Sequence, residues 1–184
     1  MFSGKSSELR SRLTRYADVD LKVLYINHSK DKRVTVSFDE YMSTHDSGFQ
    51  KMSSKVTKIK APSLDDIDVV SFQIIGIDEA QFFNNIDSVI RKWVLTLRKR
   101  VIIASLDLDF KLRPFGEVHN LVGLCAPGGL KKLSAICKMC DPNDLRDAGY
   151  TLKISEDDSL LDPGGSDKYL PVCLPCYQKY NKHF

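Results

Sequence analysis

Met1-Phe2-Ser3-Gly4-Lys5-Ser6 is the second half of the phosphate-loop pattern G-x-x-x-x-G-K-[ST], and a helix-like stretch follows it at once. The pattern makes a nucleoside triphosphate the expected ligand of an α/β chain. Backbone N–H groups around Gly4 would face the phosphates, Lys5 would reach the β and γ oxygens, and the Ser6 hydroxyl would sit on Mg²⁺. The first glycine of the pattern falls two residues ahead of Met1, so a truncated start is expected. The plain alternative is a helix N-terminus with Ser6 or Ser7 as its cap.

The apolar pattern beyond the loop alternates between helix and strand. Leu9, Leu13 and Tyr16 recur at helical spacing over Glu8 to Tyr16, and Lys22 to Asn27 reads as a strand. A long polar loop is expected from His28 to Asp46. Ser71 to Ile77 is the clearest buried strand and ends in Asp78-Glu79. A helix follows over Ile86 to Lys99, with Ile86, Val89, Ile90, Trp93, Val94 and Leu97 on one face, and Val101 to Leu106 is another short strand. This order predicts a mostly parallel sheet covered by helices, with Asp78, Glu79 and Asp107 emerging where such sheets bind ligands. From Ser134 onward apolar runs vanish and cysteine, proline and glycine rise. We therefore expect an α/β nucleotide-binding domain over 1–133 and a small second domain over 134–184.

An apolar strand ending in an aspartate is the form of a Walker-B element, its carboxylate set to hold Mg²⁺ directly or through water. Adjacent residues at a strand end can point to different sides, so Glu79 is free for a second task. The alternative is a pair of ordinary polar residues at a strand exit.

Four of the five cysteines form two C-x-x-C pairs, Cys137/Cys140 and Cys173/Cys176, while Cys125 stands apart. Four thiolates suit tetrahedral Zn²⁺ and leave no position open for catalysis; two disulfides are the alternative. The segment between the pairs, with Gly149-Tyr150-Thr151 and Pro163-Gly164-Gly165, is built like a lid or a surface loop. With 42% hydrophobic and 28% charged residues and a net charge of +3, the composition gives no strong pull toward nucleic acid or membrane. The clusters Lys55/Lys58/Lys60, Arg98-Lys99-Arg100 and Lys131-Lys132 read as solvated faces. No apolar run nears the ~20 residues a membrane helix needs, and a cytoplasmic location is expected.

Taken in order, MFSGKS, Lys30-Asp31-Lys32-Arg33 with Thr44-His45-Asp46, GIDEAQFF at Gly76 to Phe83, LDLDFKLRPFG at Leu106 to Gly116, the paired knuckles and GGSDKY resemble the type II thymidine kinases. The resemblance implies a RecA-like P-loop parallel sheet with a C-terminal zinc-binding lasso domain, assembled as a homotetramer. It implies ATP as phosphate donor, Mg²⁺, structural Zn²⁺ on Cys137, Cys140, Cys173 and Cys176, and thymidine as acceptor. Deoxyuridine is implied as a second substrate and thymidine triphosphate as a feedback inhibitor. Glu79 corresponds to the general base. Ser3, Gly4, Lys5, Ser6, Arg33, Asp78 and Gln81 correspond to the phosphate and Mg²⁺ site. Phe82, Phe110, Phe115, Thr151, Gly164 and Tyr169 correspond to the nucleoside site, with the lasso from Thr151 to Tyr169 closing over the base.

Two stretches depart from that pattern. Cys125-Ala126-Pro127-Gly128-Gly129 replaces a segment that is usually helical, and its Pro and glycines make a regular helix there unexpected. Asp162-Pro163 stands where apolar residues usually precede the double glycine. The competing reading from another class is a RecA-like ATPase with a nucleic-acid-binding zinc ribbon, which would need a concentrated basic face. A GTPase ranks below both readings, since no N-K-x-D guanine motif is present.

Overall fold

Four short apolar segments pair side by side, all parallel, into the sheet on which the rest is built: β1 (Val23–His28), β2 (Val56–Ala61), β3 (Ile74–Asp78) and β4 (Arg100–Ile103), in the order β2-β1-β3-β4. The computed structural model describes residues 1–31, 55–155 and 168–181. Arg33, Gly164, most of the polar loop expected from His28 to Asp46 and most of the lasso lie outside the described residues.

All six residues of β1 are buried. A strand covered on both faces shows no polar alternation, which is why it reads as a continuous apolar run. Its two faces nevertheless serve different cores. Val23 and Tyr25 join Leu9, Leu13 and Ala17 of helix α1 (Lys5–Asp18) and Ile74 of β3. Leu24 and Ile26 join Ile75 and Ile77 of β3 with Ile86, Val89, Ile90 and Trp93 beyond it.

Helix α2 (Ile86–Arg91) begins where expected but does not continue as a regular helix to Lys99. It widens over Lys92–Thr96, where the Leu97 N–H reaches back to the Lys92 carbonyl at 3.0 Å, five residues rather than four. Trp93 stays buried through that turn, so the expected apolar face survives the change in helix type. Strand β3 starts at Ile74 rather than Ser71, because Phe72 donates to the Val69 carbonyl in a turn and the Gln73 side chain accepts from the Lys22 N–H at 2.7 Å. Strand β2 has no counterpart in the sequence reading. Its lysines look like a solvated face because it is an edge strand, where charge is common, and Lys60 donates to the Asp31 carbonyl at 2.7 Å.

After the 3₁₀-helical segment Val118–Leu124 the chain forms no helix over 125–129, as its Pro and glycines require; a tight turn joins Ala126 to Gly129. The C-terminal part has its own small core. Strands β5 (Ala135–Ile136) and β6 (Asp147–Ala148) pair antiparallel, as do β7 (Tyr150–Lys153) and β8 (Tyr169–Val172), and helix α3 (Leu174–Tyr180) closes the unit. Ala135, Ala148, Leu152, Val172 and Tyr177 pack there with Cys137 and Cys173. The Tyr177 hydroxyl donates to the Phe110 carbonyl at 2.6 Å, tying this unit to the loop after β4.

Gly76 sets the distance between α1 and the sheet. A Cβ at that position would lie 2.4 Å from Leu13 Cδ1, and Leu13 is itself fully buried. Gly76→Ala is expected to cost about 1–3 kcal/mol of stability through overpacking. In urea unfolding, the double variant Gly76→Ala/Leu13→Ala should lose less than the sum of the two single variants, since removing the leucine branch frees the space the methyl needs.

Candidate functional site

The side chains at positions 74, 76 and 78 of β3 share the face covered by α1, so Asp78 points toward the start of that helix. Asp78 is buried and accepts three hydrogen bonds. The Ser6 hydroxyl donates to Oδ1 at 3.0 Å, the Glu79 N–H donates to the same oxygen at 3.0 Å, and the Tyr25 hydroxyl donates to Oδ2 at 2.9 Å. The loop serine and the strand-end acid, 72 residues apart in sequence, thus meet as a phosphate-loop fold requires. Burial raises the Asp78 pKa above the ordinary 3.8, and the neighbouring Glu79 charge raises it further. Hydrogen bonds from Ser6 and Tyr25 and the charge of Arg10 oppose this without cancelling it.

Glu79 turns the chain. Its backbone is left-handed, with φ at 50°, a conformation that non-glycine residues rarely adopt and that clusters at functional sites. Its carboxylate accepts from Gln81 Nε2 at 2.6 Å. The Gln81 carbonyl oxygen in turn accepts from the Ser105 hydroxyl at 2.9 Å and the Leu106 N–H at 3.1 Å. Gln81, expected among the phosphate ligands, has its amide directed to Glu79 and to the end of β4. Gly116 lets the loop after β4 pass close to the backbone of this turn: its φ is 69°, and a Cβ there would stand 2.7 Å from the Gln81 main-chain carbonyl oxygen rather than from the side-chain Oε1 of the network.

Around the loop, Gly4 caps α1 in a left-handed conformation and Lys5 Nζ lies 3.5 Å from the Ser3 hydroxyl oxygen. The expected nucleoside residues fall into two groups. Phe82 and Phe115 meet edge to face at 5.7 Å, with His28 beside Phe82. Phe110 and Tyr169 lie 6.4 Å apart, and the buried Lys153 ammonium sits 4.9 Å and 5.7 Å above the two rings. Thr151 lies on β7 opposite Pro171. Tyr25, Arg10, Ser105 and Lys153 are not among the site residues expected from the sequence, although Tyr25 and Ser105 fall within expected strands. The available signals were polar-tipped residues where the periodicity calls for core: Tyr25 amid an apolar strand, and Arg10 three residues before Leu13.

The sulfurs of Cys137, Cys140, Cys173 and Cys176 all lie within 4.8 Å of one another, and all four cysteines are free thiols. Cys140 Sγ is 3.6 Å from Cys173 Sγ and 3.8 Å from Cys176 Sγ. Four bonds of about 2.3 Å around a tetrahedral ion give sulfur–sulfur edges of roughly 3.8 Å, so the cluster fits Zn²⁺. Burial alone would raise the Cys137 thiol, but the N–H groups of Cys173 and Met139 and the neighbouring thiols bring it down to about 6. Burial and the thiols of Cys137, Cys173 and Cys176 push Cys140 up to about 12. Crowded thiolates without a cation cannot all ionise together, which is the electrostatic signature of a site that a divalent ion completes.

A family model described as thymidine kinase matches residues 1–177. The chain belongs to the thymidine kinase family. It is 35% identical over 187 residues to the thymidine kinase of Choristoneura fumiferana entomopoxvirus, covering 98% of this chain and 94% of that one. It is 36% identical over 179 residues to the thymidine kinase of Fowlpox virus (strain NVSL), covering 96% and 92%. It is 36% identical over 181 residues to the cytosolic thymidine kinase of Homo sapiens, covering 97% of this chain and 70% of that one. Family membership decides between the two sequence readings in favour of the nucleoside kinase. A thymidine kinase moves a phosphoryl group from ATP to thymidine, so the fold must serve a triphosphate, a divalent cation and a nucleoside.

The buried Asp78 carries a pH signature. A carboxyl whose folded pKa exceeds its unfolded value adds stability below the unfolded value, and that contribution is lost as pH rises through the folded one. In chelator, without nucleotide, wild-type stability in urea is expected to fall as pH climbs above the ordinary 3.8 of an aspartate. Asp78→Asn should flatten that part of the profile and be at least as stable as wild type at neutral pH.

Proposed function

We propose that Glu79 is the general base and that Lys5, Ser6 and Asp78 serve the phosphates and the cation. The observation that carries this is the division of labour between adjacent acids. Asp78 lies beneath the loop serine, while the left-handed turn at Glu79 directs its carboxylate to Gln81 instead. Ser6 and Asp78 would hold Mg²⁺, which when bound offsets the negative charge of the triphosphate and of the transferring group. Glu79 takes the proton of the thymidine 5′-hydroxyl as that oxygen bonds to the γ-phosphorus of ATP. The bond from that phosphorus to the bridging oxygen breaks, ADP leaves, and thymidine monophosphate forms. Lys5 places positive charge on the transferring oxygens. Gln81 fixes the Glu79 carboxylate, and its own orientation is set by the Ser105 hydroxyl and the Leu106 N–H.

Phe82, Phe110, Phe115, Thr151 and Tyr169 line the thymidine site in the same proposal, with Arg33 and Gly164 contributing from the segments outside the described residues. Residues 134–184 form a zinc-stapled domain distinct from residues 1–133, supported by their separate core and four-thiol cluster. From the resemblance we carry forward deoxyuridine as a second substrate, thymidine triphosphate as an inhibitor, a homotetramer and a cytoplasmic location; the human relative is the cytosolic enzyme. Among the described residues no helix is long and apolar enough to cross a membrane.

With ATP, Mg²⁺ and a panel of nucleosides, the protein is expected to make thymidine monophosphate as its main product. Glu79→Gln should lower kcat by about 10²–10⁴-fold and leave thymidine affinity nearly intact, because the amide keeps the shape but cannot accept the proton. A kcat within a few-fold of wild type would remove Glu79 from the role.

Reduced protein should contain about one zinc per chain, with Cys125 as the single thiol that titrates in the native state. Chelation of that zinc is expected to open 134–181 to proteases before the parallel sheet unfolds, since the metal stabilises a unit with little core. Finding two disulfides and no metal would overturn the assignment.

A further inference from the structure

The Asp78 carboxylate is assembled from more of the molecule than the phosphate loop. Its acceptor capacity is about four hydrogen bonds. Ser6 and the Glu79 N–H together occupy Oδ1, and the Tyr25 hydroxyl takes one position on Oδ2 at 2.9 Å, which leaves about one for an incoming donor. Tyr25 is 1% exposed, and its ring packs in the core between α1 and the sheet. Its register neighbour on β3 is Gly76, two residues before Asp78, and its hydroxyl reaches the Asp78 carboxylate on the same strand. Arg10 of α1 is also buried, 5% exposed, and its charge acts on Asp78 and Tyr25 alike.

We propose that Tyr25, backed by Arg10, is a positioning residue for the divalent cation: it holds Asp78 in the one orientation that presents its remaining acceptor site to the metal and its water. This rests on the assignment of Asp78 to the cation. Without the phenol, Oδ2 loses its one donor among the described residues, and among them the carboxylate is pinned from the Oδ1 side. A buried acid free to rotate must be reordered each time a cation binds, so the loss falls on metal affinity. The proton transfer and the nucleoside site, which lie on the Glu79 side of the strand end, are untouched.

The test uses the full chain. Mn²⁺ binding in the presence of ADP, read by the electron paramagnetic resonance signal of free Mn²⁺, gives a cation affinity without turnover. Tyr25→Phe keeps the ring and removes the hydroxyl. It is expected to weaken Mn²⁺ binding roughly tenfold, the weight of one hydrogen bond to a charged group. The apparent Mg²⁺ requirement of the kinase reaction should rise by a similar factor, kcat should return at saturating Mg²⁺, and the thymidine KM should stay as in wild type. Arg10→Met leaves the phenol in place and should shift Mn²⁺ binding the same way by two- to threefold; it carries the test should Tyr25→Phe fail to fold. Asp78→Asn is the control on the underlying assignment and should abolish Mn²⁺ binding with ADP. If Asp78→Asn binds Mn²⁺ as wild type does, the cation assignment fails. If Asp78→Asn abolishes binding while Tyr25→Phe and Arg10→Met bind as wild type, the assignment stands and the positioning role of Tyr25 is overturned. A folded Tyr25→Phe whose kcat falls and stays low at saturating Mg²⁺ would overturn it equally.

Discussion

The contact between Leu13 of α1 and the bare backbone of Gly76 in β3 governs everything at the phosphate end of this fold. It lets the helix lie low on the sheet, and the Ser6 hydroxyl on its first turn thereby reaches Asp78 at 3.0 Å. A methyl at position 76 would collide with the Leu13 branch that seats α1 on the sheet. One missing Cβ therefore couples packing to electrostatics, since the tight fit that stabilises the core also buries the acid that chemistry requires.

Burying that acid has a cost that function turns to use. The Asp78 carboxylate keeps its proton more strongly than a solvated aspartate, because burial and the adjacent Glu79 both disfavour its charge. In the proposed assignment a divalent cation would reverse that balance, since its charge would be the largest in the site. The site would then be less favourable in the absence of its ligands than in their presence, a common arrangement where binding completes a preorganised centre. The left-handed backbone at Glu79 is a second local cost in the same turn, held in place by Gln81, Ser105 and the close approach of Gly116.

What the sequence disclosed depended on whether one residue type had one plausible job. Helix α1, strands β1, β3 and β4 and the cysteine cluster were legible because apolar runs and paired C-x-x-C spacings have few alternatives. Strand β2 was not, because an edge strand carrying Lys58 and Lys60 has the composition of a surface segment. The widened turn after Arg91 was invisible because it preserves the buried face of Trp93, and periodicity reports faces rather than hydrogen-bond partners. Among site residues, Ser6, Asp78 and Glu79 stand in recognisable patterns, whereas Tyr25 and Arg10 reach the site only through the register of β1 against β3 and the low seat of α1. Gln81 shows the same limit: the motif places it near the chemistry, but only three-dimensional contacts reveal that it serves Glu79.

The C-terminal unit reaches the site by a different route. It holds few apolar side chains, so its order must come from the four clustered sulfurs and from what it leans on. Tyr177 joins the two, because its ring belongs to the small core while its hydroxyl donates to the Phe110 carbonyl 67 residues away. Phe110 also faces Tyr169 of β8, with the Lys153 ammonium over both rings. An aromatic expected against the nucleoside is therefore fixed at its backbone by α3 and at its ring by β7 and β8. The four-thiol cluster lies at the root of these same elements, with Cys173 at the start of α3 and Cys137 donating its N–H to the Arg146 carbonyl beside β6. In the proposed assignment a metal held by these sulfurs would therefore bear on the acceptor side of the reaction mechanically, through the placement of one phenylalanine.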